Sequence, residues 1–362
     1  MARTPFCAAV TPDWEGFVRC IRRQGTPARV HCYELFLDGE VQTAIALRYG
    51  VVDGLDPADP WFGWRRQIAI QRFLGYDYVS AGVDGVAMSF HYAATPDTAA
   101  LPRAGGRNYL DEHRGPITSW AEFEAYPWPD VAQATTQSLE WLEKNLPDDM
   151  CVIGWGFGHF CEYLTWLMGY ESLCFALYDD RELVQALADR ILAQSLPLAR
   201  TVAQFERVKL MLGSDDMGFR TGTLISPADT RRFVLPGHKA VAAIAHQSGR
   251  PYLLHSCGNL SEIMADLIQD VGLDAKHSFE DTIEDVRQAK QAYGQRLTLL
   301  GGIDLDFLCR ATQAQVRQRV RDTLDVCQPN GGYALGTGNS VANYLPLDNY
   351  LAMLDEGRRY GG

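Results

Sequence analysis

The chain has 362 residues, 47% hydrophobic and 22% charged, with a formal net charge of −12. These are globular values, and the acidic balance argues against nucleic acid as a bulk partner. No run approaches the ~18 uninterrupted apolar residues of a membrane span, and Met1 to Val10 lacks the apolar core of a secretory leader, so a cytoplasmic protein is expected.

Read from the N-terminus, short β-type runs alternate with helix-type stretches. Eight strands are predicted: 30–36, 76–82, 151–157, 208–216, 251–258, 273–280, 297–304 and 331–339. After the second comes a long stretch, Phe90 to Pro147, rich in Pro, Gly, Tyr and Trp. It reads as an irregular βα insertion that would form a lid or a homodimer surface. Ser226-Pro227 offers an N-cap followed by proline at the first helical position. A helix over 261–271 stops at Gly272. Thr312 and Gln315 make a capping-box pattern before a helix over 315–326. Parallel neighbours need helical crossovers, so the alternation predicts an α/β fold. Eight strands predict a single-domain (β/α)8 TIM barrel over residues 1–362. An open doubly wound sheet is the alternative, but no GxGxxG follows an early strand.

In such a barrel, chemistry sits at the C-terminal ends of strands. Those ends here read Ser214-Asp215-Asp216, His255-Ser256-Cys257, His277-Ser278-Phe279-Glu280, Gly301-Gly302-Ile303-Asp304 and Gly336-Thr337-Gly338-Asn339. Residues two apart on a strand share a face, so His255 and Cys257 project together. An imidazole and a thiolate suit zinc. Glu280, 23 residues after Cys257 and at the end of the next strand, is the expected third ligand. His277 is the competitor, and it reads instead as a buried, hydrogen-bonded imidazole under the helices, facing away from Glu280. Taken singly, Asp216 or Asp304 reads as a helix cap or loop acid. The nine cysteines are odd in number, scattered and without a CxxC pair. They read as reduced thiols, with only Cys257 singled out by context.

The stretch 158–348 resembles the uroporphyrinogen decarboxylase superfamily. The resemblance rests on Tyr163-Leu164-Thr165-Trp166-Leu167-Met168-Gly169-Tyr170-Glu171, Asp215-Asp216-x-Gly218, Ile225-Ser226-Pro227, Leu254-His255-Ser256-Cys257-Gly258-Asn259, Gly301-Gly302-Ile303-Asp304 and Gly331-Gly332-Tyr333-Ala334-Leu335. It implies a (β/α)8 barrel with one of two chemistries. One is metal-free decarboxylation of uroporphyrinogen. The other is zinc-dependent methyl transfer between a corrinoid protein and a small thiol or another methyl carrier. The decarboxylases carry an Arg-rich N-terminal signature for the substrate's carboxylates. The comparable segment here has one basic guanidinium, Arg29, and an acid, Glu34, although Asp84 does follow the second strand. The methyltransferase branch is similar in His-x-Cys, and usually adds a late Cys where this chain has Asn339. Cobalamin-independent methionine synthase is similar in site logic and matches Glu280 in spacing.

The resemblance therefore implies a methyltransferase with Zn2+ held by His255, Cys257, Glu280 and Asn339, and methylcobalamin or a corrinoid partner protein as methyl carrier. Asp215, Asp216, Asp304 and Tyr163 would line the pocket and orient a small-molecule methyl donor or acceptor. A metal-free tetrapyrrole decarboxylase and a non-catalytic ligand-binding barrel are the alternatives.

Overall fold

The computed structural model describes residues 4–360 except 102, 104 and 112. Seven short strands form one parallel sheet in sequential order: β1 (Tyr78–Ala81), β2 (Cys151–Gly154), β3 (Val208–Ser214), β4 (Tyr252–His255), β5 (Ala275–His277), β6 (Thr298–Leu300) and β7 (Tyr333–Ala334). Val152, Leu210, Leu253 and Leu299 are each 0–1% exposed, as strands covered on both faces require. Helices return the chain between strands: Arg181–Val202 before β3, Leu235–Gln247 before β4, Val286–Tyr293 before β6 and Gln313–Cys327 before β7.

The expected first strand differs. Segment 30–36 forms no ladder. It touches the far edge of the sheet through isolated parallel bridges, Cys32 to Leu335 and Leu37 to Val341. Between the bridges, the Glu34 side chain rather than the backbone meets the Thr337 N–H, so regular pairing stops. On its other side the segment is tied to β1 by a side chain: Tyr78 Oη donates to the Glu34 carbonyl and accepts from its N–H. The other strands are shorter than expected, several at both ends, as in Ala275–His277 and Tyr333–Ala334.

Local signals hold where they depend on neighbours in sequence. Ser226 caps the turn that begins at Pro227, and Thr312 and Gln315 form a reciprocal capping box. The stretch 261–271 forms only Met264–Asp266 and a π-type turn, Leu267–Val271, ending at left-handed Gly272. The segment 90–147 is not irregular throughout. It contains an antiparallel hairpin, Tyr92–Thr95 with Arg107–Leu110, and the helices Trp120–Ala125 and Gln137–Asn145. Among the described residues, no helix is long and apolar enough to cross a membrane.

Candidate metal centre and adjoining cavity

Register brings the site together. Ser214 pairs with His255, and His255 with His277. Paired residues on parallel strands point the same way, so the two imidazoles meet, Nδ1 to Nδ1, at 2.8 Å. Past the strand ends, Gly258 (φ +84°) turns the chain where any Cβ would lie 2.1 Å from the Gly218 backbone. Only glycine allows both the angle and the approach. The contact draws the loop after β3 against the loop after β4, and Cys257 N donates to Asp216 Oδ1 at 2.8 Å.

The result is a carboxylate, an imidazole and a thiol with ligand atoms within 4.8 Å of one another: Asp216, His255 and Cys257. His255 Nε2 lies 3.3 Å from Asp216 Oδ1 and 3.6 Å from Cys257 Sγ. Tetrahedral zinc, with bonds of about 2.0–2.3 Å, requires ligand separations of about 3.3–3.8 Å. The donor set fits that ion in chemistry and spacing. Burial, then the charge of Asp216, pushes the Cys257 thiol up to about 12, so a thiolate there needs a cation beside it. Burial would also raise the Asp216 carboxyl, but its contacts with His255 and the Cys257 amide outweigh that and hold it at about 2.

Asn339 arrives from the loop after β7. Its Oδ1 accepts from Ser340 N at 2.8 Å, which turns Nδ2 toward Cys257 Sγ at 3.0 Å. The amide is thus oriented as a donor to sulfur, not as the oxygen ligand expected from the sequence. Ser278 Oγ adds a longer contact to the same sulfur, 3.7 Å. Glu280 is not in the three-residue cluster. It is half-buried and lines a separate open cavity of about 620 Å³ with Asp304 and Asn339. Burial, then the charges of Asp304 and Asp216, raises its carboxyl. The carboxylate grouped with His255 and Cys257 is that of Asp216, not Glu280.

Two of the other expected pocket residues, Asp215 and Asp304, also anchor helix starts. Asp215 is fully buried. Its carboxylate accepts from Cys161 N (2.9 Å), Glu162 N (2.8 Å) and the His238 ring (2.8 Å), anchoring the start of helix Phe160–Met168. Asp304 caps helix Leu305–Arg310, accepting from Phe307 N and Asp281 N, each at 3.0 Å. Tyr163 stacks on His159 with centroids 5.3 Å apart and packs against Phe90 and Trp166. Burial raises its phenol to about 12, so its hydroxyl stays protonated in an aromatic wall.

His277 is not under the helices. It lies inside the sheet's curve, between His255 and the Thr337 carbonyl, 3.2 Å from Nε2. Burial, then the neighbouring His255, holds its pKa well below the usual imidazole range. Thr337 is gripped by Glu34: Thr337 N donates to Oε1 at 2.8 Å, and Oγ1 lies 2.5 Å from Oε2. Burial raises the Glu34 carboxyl to about 8, against smaller opposition from the Thr337 contacts. Between the ordinary carboxyl range and about pH 8, the folded chain therefore holds a proton that the unfolded chain releases. Stability falls as pH rises through that window. Urea titrations at pH 5 and pH 8.5 are expected to show a loss of a few kcal/mol, reduced in Glu34→Gln. An equal pH dependence in both proteins would refute the assignment.

Beside the metal cluster lies a cavity of about 470 Å³, lined by Glu34, Phe36, Trp64, Gln67, Gln71, Asp84, Trp155 and Ser214 among others. Ser214 is the register partner of His255, so cavity and cluster adjoin. Among the described residues, no Lys, Arg or His lines it. Arg29 is held elsewhere, by the buried Asp77 carboxylate, which His31 also contacts at 2.8 Å.

The pairing of His255 with Cys257 is readable in the sequence; the approach of Asp216 to them, and the backing of His255 by His277, Thr337 and Glu34, is not. The Asp-Asp pair was visible. The signal that separates its members is that Asp215 directly continues β3 while Asp216 lies one step into the loop that Gly218 and Gly258 draw together.

Comparisons with known proteins agree on the fold. A methyltransferase from Methanosarcina mazei superposes with a TM-score of 0.67 at 16% identity, covering 96% of this chain and 98% of that one. A uroporphyrinogen decarboxylase of Syntrophotalea carbinolica is 24% identical over 254 residues, 66% of this chain and 69% of its own length. The sequence model of the family described as uroporphyrinogen decarboxylase (URO-D) matches residues 108–360, which takes in six of the seven sheet strands and all of Asp216, His255 and Cys257, and on that match the chain belongs to the uroporphyrinogen decarboxylase family.

Proposed function

We propose that this protein is a zinc-dependent methyltransferase, moving a methyl group between a corrinoid on a partner protein and a small thiol or O-, N- or S-methyl substrate. Its scaffold would be a (β/α)8 barrel whose first strand is the bridged segment 30–36. The observation that carries the reading is the grouping of Asp216, His255 and Cys257 within 4.8 Å. Three protein ligands leave the open position typical of catalytic zinc.

When bound, zinc supplies Lewis acidity that favours the thiolate form of a substrate thiol or polarises a methyl donor. The chain's own residues do the rest. Asn339 Nδ2–H and Ser278 O–H point at Cys257 Sγ and stabilise negative charge there. Phe36, Trp64 and Trp155 wall the adjoining cavity and exclude water from the transfer. In the thiol direction, the substrate thiolate takes the methyl group as its C–Co bond breaks, and cobalt keeps the electron pair, passing from Co(III) to Co(I).

Decarboxylation of uroporphyrinogen is the second reading, favoured by the family description and the Syntrophotalea relative. Guanidinium forks are the natural clamps for carboxylates. Among the described residues no cation lines the cavity, and Arg29 is engaged by Asp77. Both weigh against a polycarboxylate. The nine free thiols suit a reducing cytoplasm.

The test incubates zinc-loaded protein with methylcobalamin and a panel of thiols, following cobalamin absorbance, beside an assay for carbon dioxide release from uroporphyrinogen. Zinc-dependent demethylation of the cobalamin supports the proposal. Decarboxylation that survives chelation would replace it, and a barrel that binds ligand without turnover would show neither activity.

A further inference from the structure

We propose that His277 is a positioning residue that dictates which nitrogen His255 presents to Cys257 and Asp216. The consequence for zinc rests on the metal reading above; the proton placement does not.

The argument counts hydrogens along a buried chain. The Thr337 carbonyl can only accept, so the His277 Nε2 that faces it at 3.2 Å carries hydrogen. His277 is fully buried. Its ring meets the Thr337 carbonyl, the His255 ring and the edge of Tyr33, and among the described residues no carboxylate hydrogen-bonds to it. A second proton on this ring would be an unpaired buried charge, which is costly. His277 is therefore neutral, with a lone pair on Nδ1. The 2.8 Å contact between the two Nδ1 atoms needs one hydrogen, and only His255 is left to supply it. His255 Nδ1 thus keeps its hydrogen, and Nε2 is the nitrogen turned to Asp216 and Cys257. Nε2 can pair with Asp216 when protonated, or offer its lone pair to a metal when not. Nδ1 stays a donor in both cases. Metal-binding imidazoles commonly donate their other N–H to a fixed acceptor; here that acceptor is another imidazole.

The anchor of the chain is rigid for an independent reason. Glu34 Oε1 accepts the Thr337 N–H, the protonated carboxyl donates from Oε2 to Thr337 Oγ1, and the one hydroxyl hydrogen of Thr337 goes to the Asn339 carbonyl at 2.7 Å. One loop therefore fixes the acceptor that orients His277 and the amide that donates to Cys257.

Two measurements test this. Long-range proton–nitrogen spectra of metal-free protein with ring-labelled histidine read the tautomers directly. The expected pattern is a hydrogen-bearing Nδ1 on His255, and a bare Nδ1 with a hydrogen-bearing Nε2 on His277. A bare Nδ1 on His255 overturns the proposal. Zinc affinity by competition with a chromophoric chelator is expected to fall about tenfold to a hundredfold in His277→Leu. His277→Asn, which restores an acceptor near the Nδ1 position, is expected to recover most of that loss. Equal affinity in wild type and His277→Leu sinks the metal arm. If wild type takes up no zinc, the proposed function falls while the spectra still decide the proton placement.

Discussion

Cys257→Ala is expected to lose zinc binding by more than the roughly hundredfold that outer contacts command, and methyl transfer with it. Cys257 is the one soft donor of the cluster, and Asp216 with His255 alone offers an oxygen and a nitrogen in a half-open site. The loss has a thermodynamic readout independent of turnover. At free zinc of about 100 times its Kd, a native-state ligand stabilises by about 2.7 kcal/mol. Wild type should show that gain in urea titrations with and without zinc, and Cys257→Ala should show almost none. Asn339→Ala leaves all three ligands and removes one donor to sulfur, so its loss should be the smaller, about tenfold. Equal zinc content in wild type and Cys257→Ala after gel filtration would show that the ion, if any, sits elsewhere.

Asp215→Ala is expected to cost about 3–5 kcal/mol of stability, because removing one member of a buried charged network strands the others. Here the stranded groups are the Cys161 and Glu162 N–H donors and the His238 ring, all held by one carboxylate. Asp215→Asn keeps a single acceptor oxygen and should lose less. The measurement is the urea midpoint at constant m-value. Activity should fall in step with the folded fraction, because the Asp215 carboxylate holds the start of helix Phe160–Met168 and the His238 ring. A fully stable but inactive Asp215→Asn would return this residue to the pocket and overturn the scaffold role.

These two aspartates show how far neighbours in sequence can mislead. Asp215 and Asp216 are adjacent and chemically identical, and both were assigned to the pocket. One step of chain separates a fully buried anchor from a half-exposed carboxylate beside His255 and Cys257, because successive residues leaving a strand point opposite ways. Asp304 reads as a cap or loop acid taken singly and as a pocket residue in the set; it caps helix Leu305–Arg310 and also lines the cavity beside Glu280. Glu280 had suitable spacing from Cys257, but spacing along the chain measures contour and not direction.

What the sequence determined by itself is local. The strand–helix alternation, the caps at Ser226 and Thr312, and the shared face of His255 and Cys257 all follow from periods of two and 3.6 residues and from short-range hydrogen bonds. The tertiary structure alone decided the partners. Sheet register set His277 beside His255, the Gly218–Gly258 approach brought Asp216 to Cys257, and return of the chain to its first segment placed Glu34 on Thr337, 303 residues away. Each is a contact between distant segments, fixed by how the strands pack, and no periodicity along the chain encodes it.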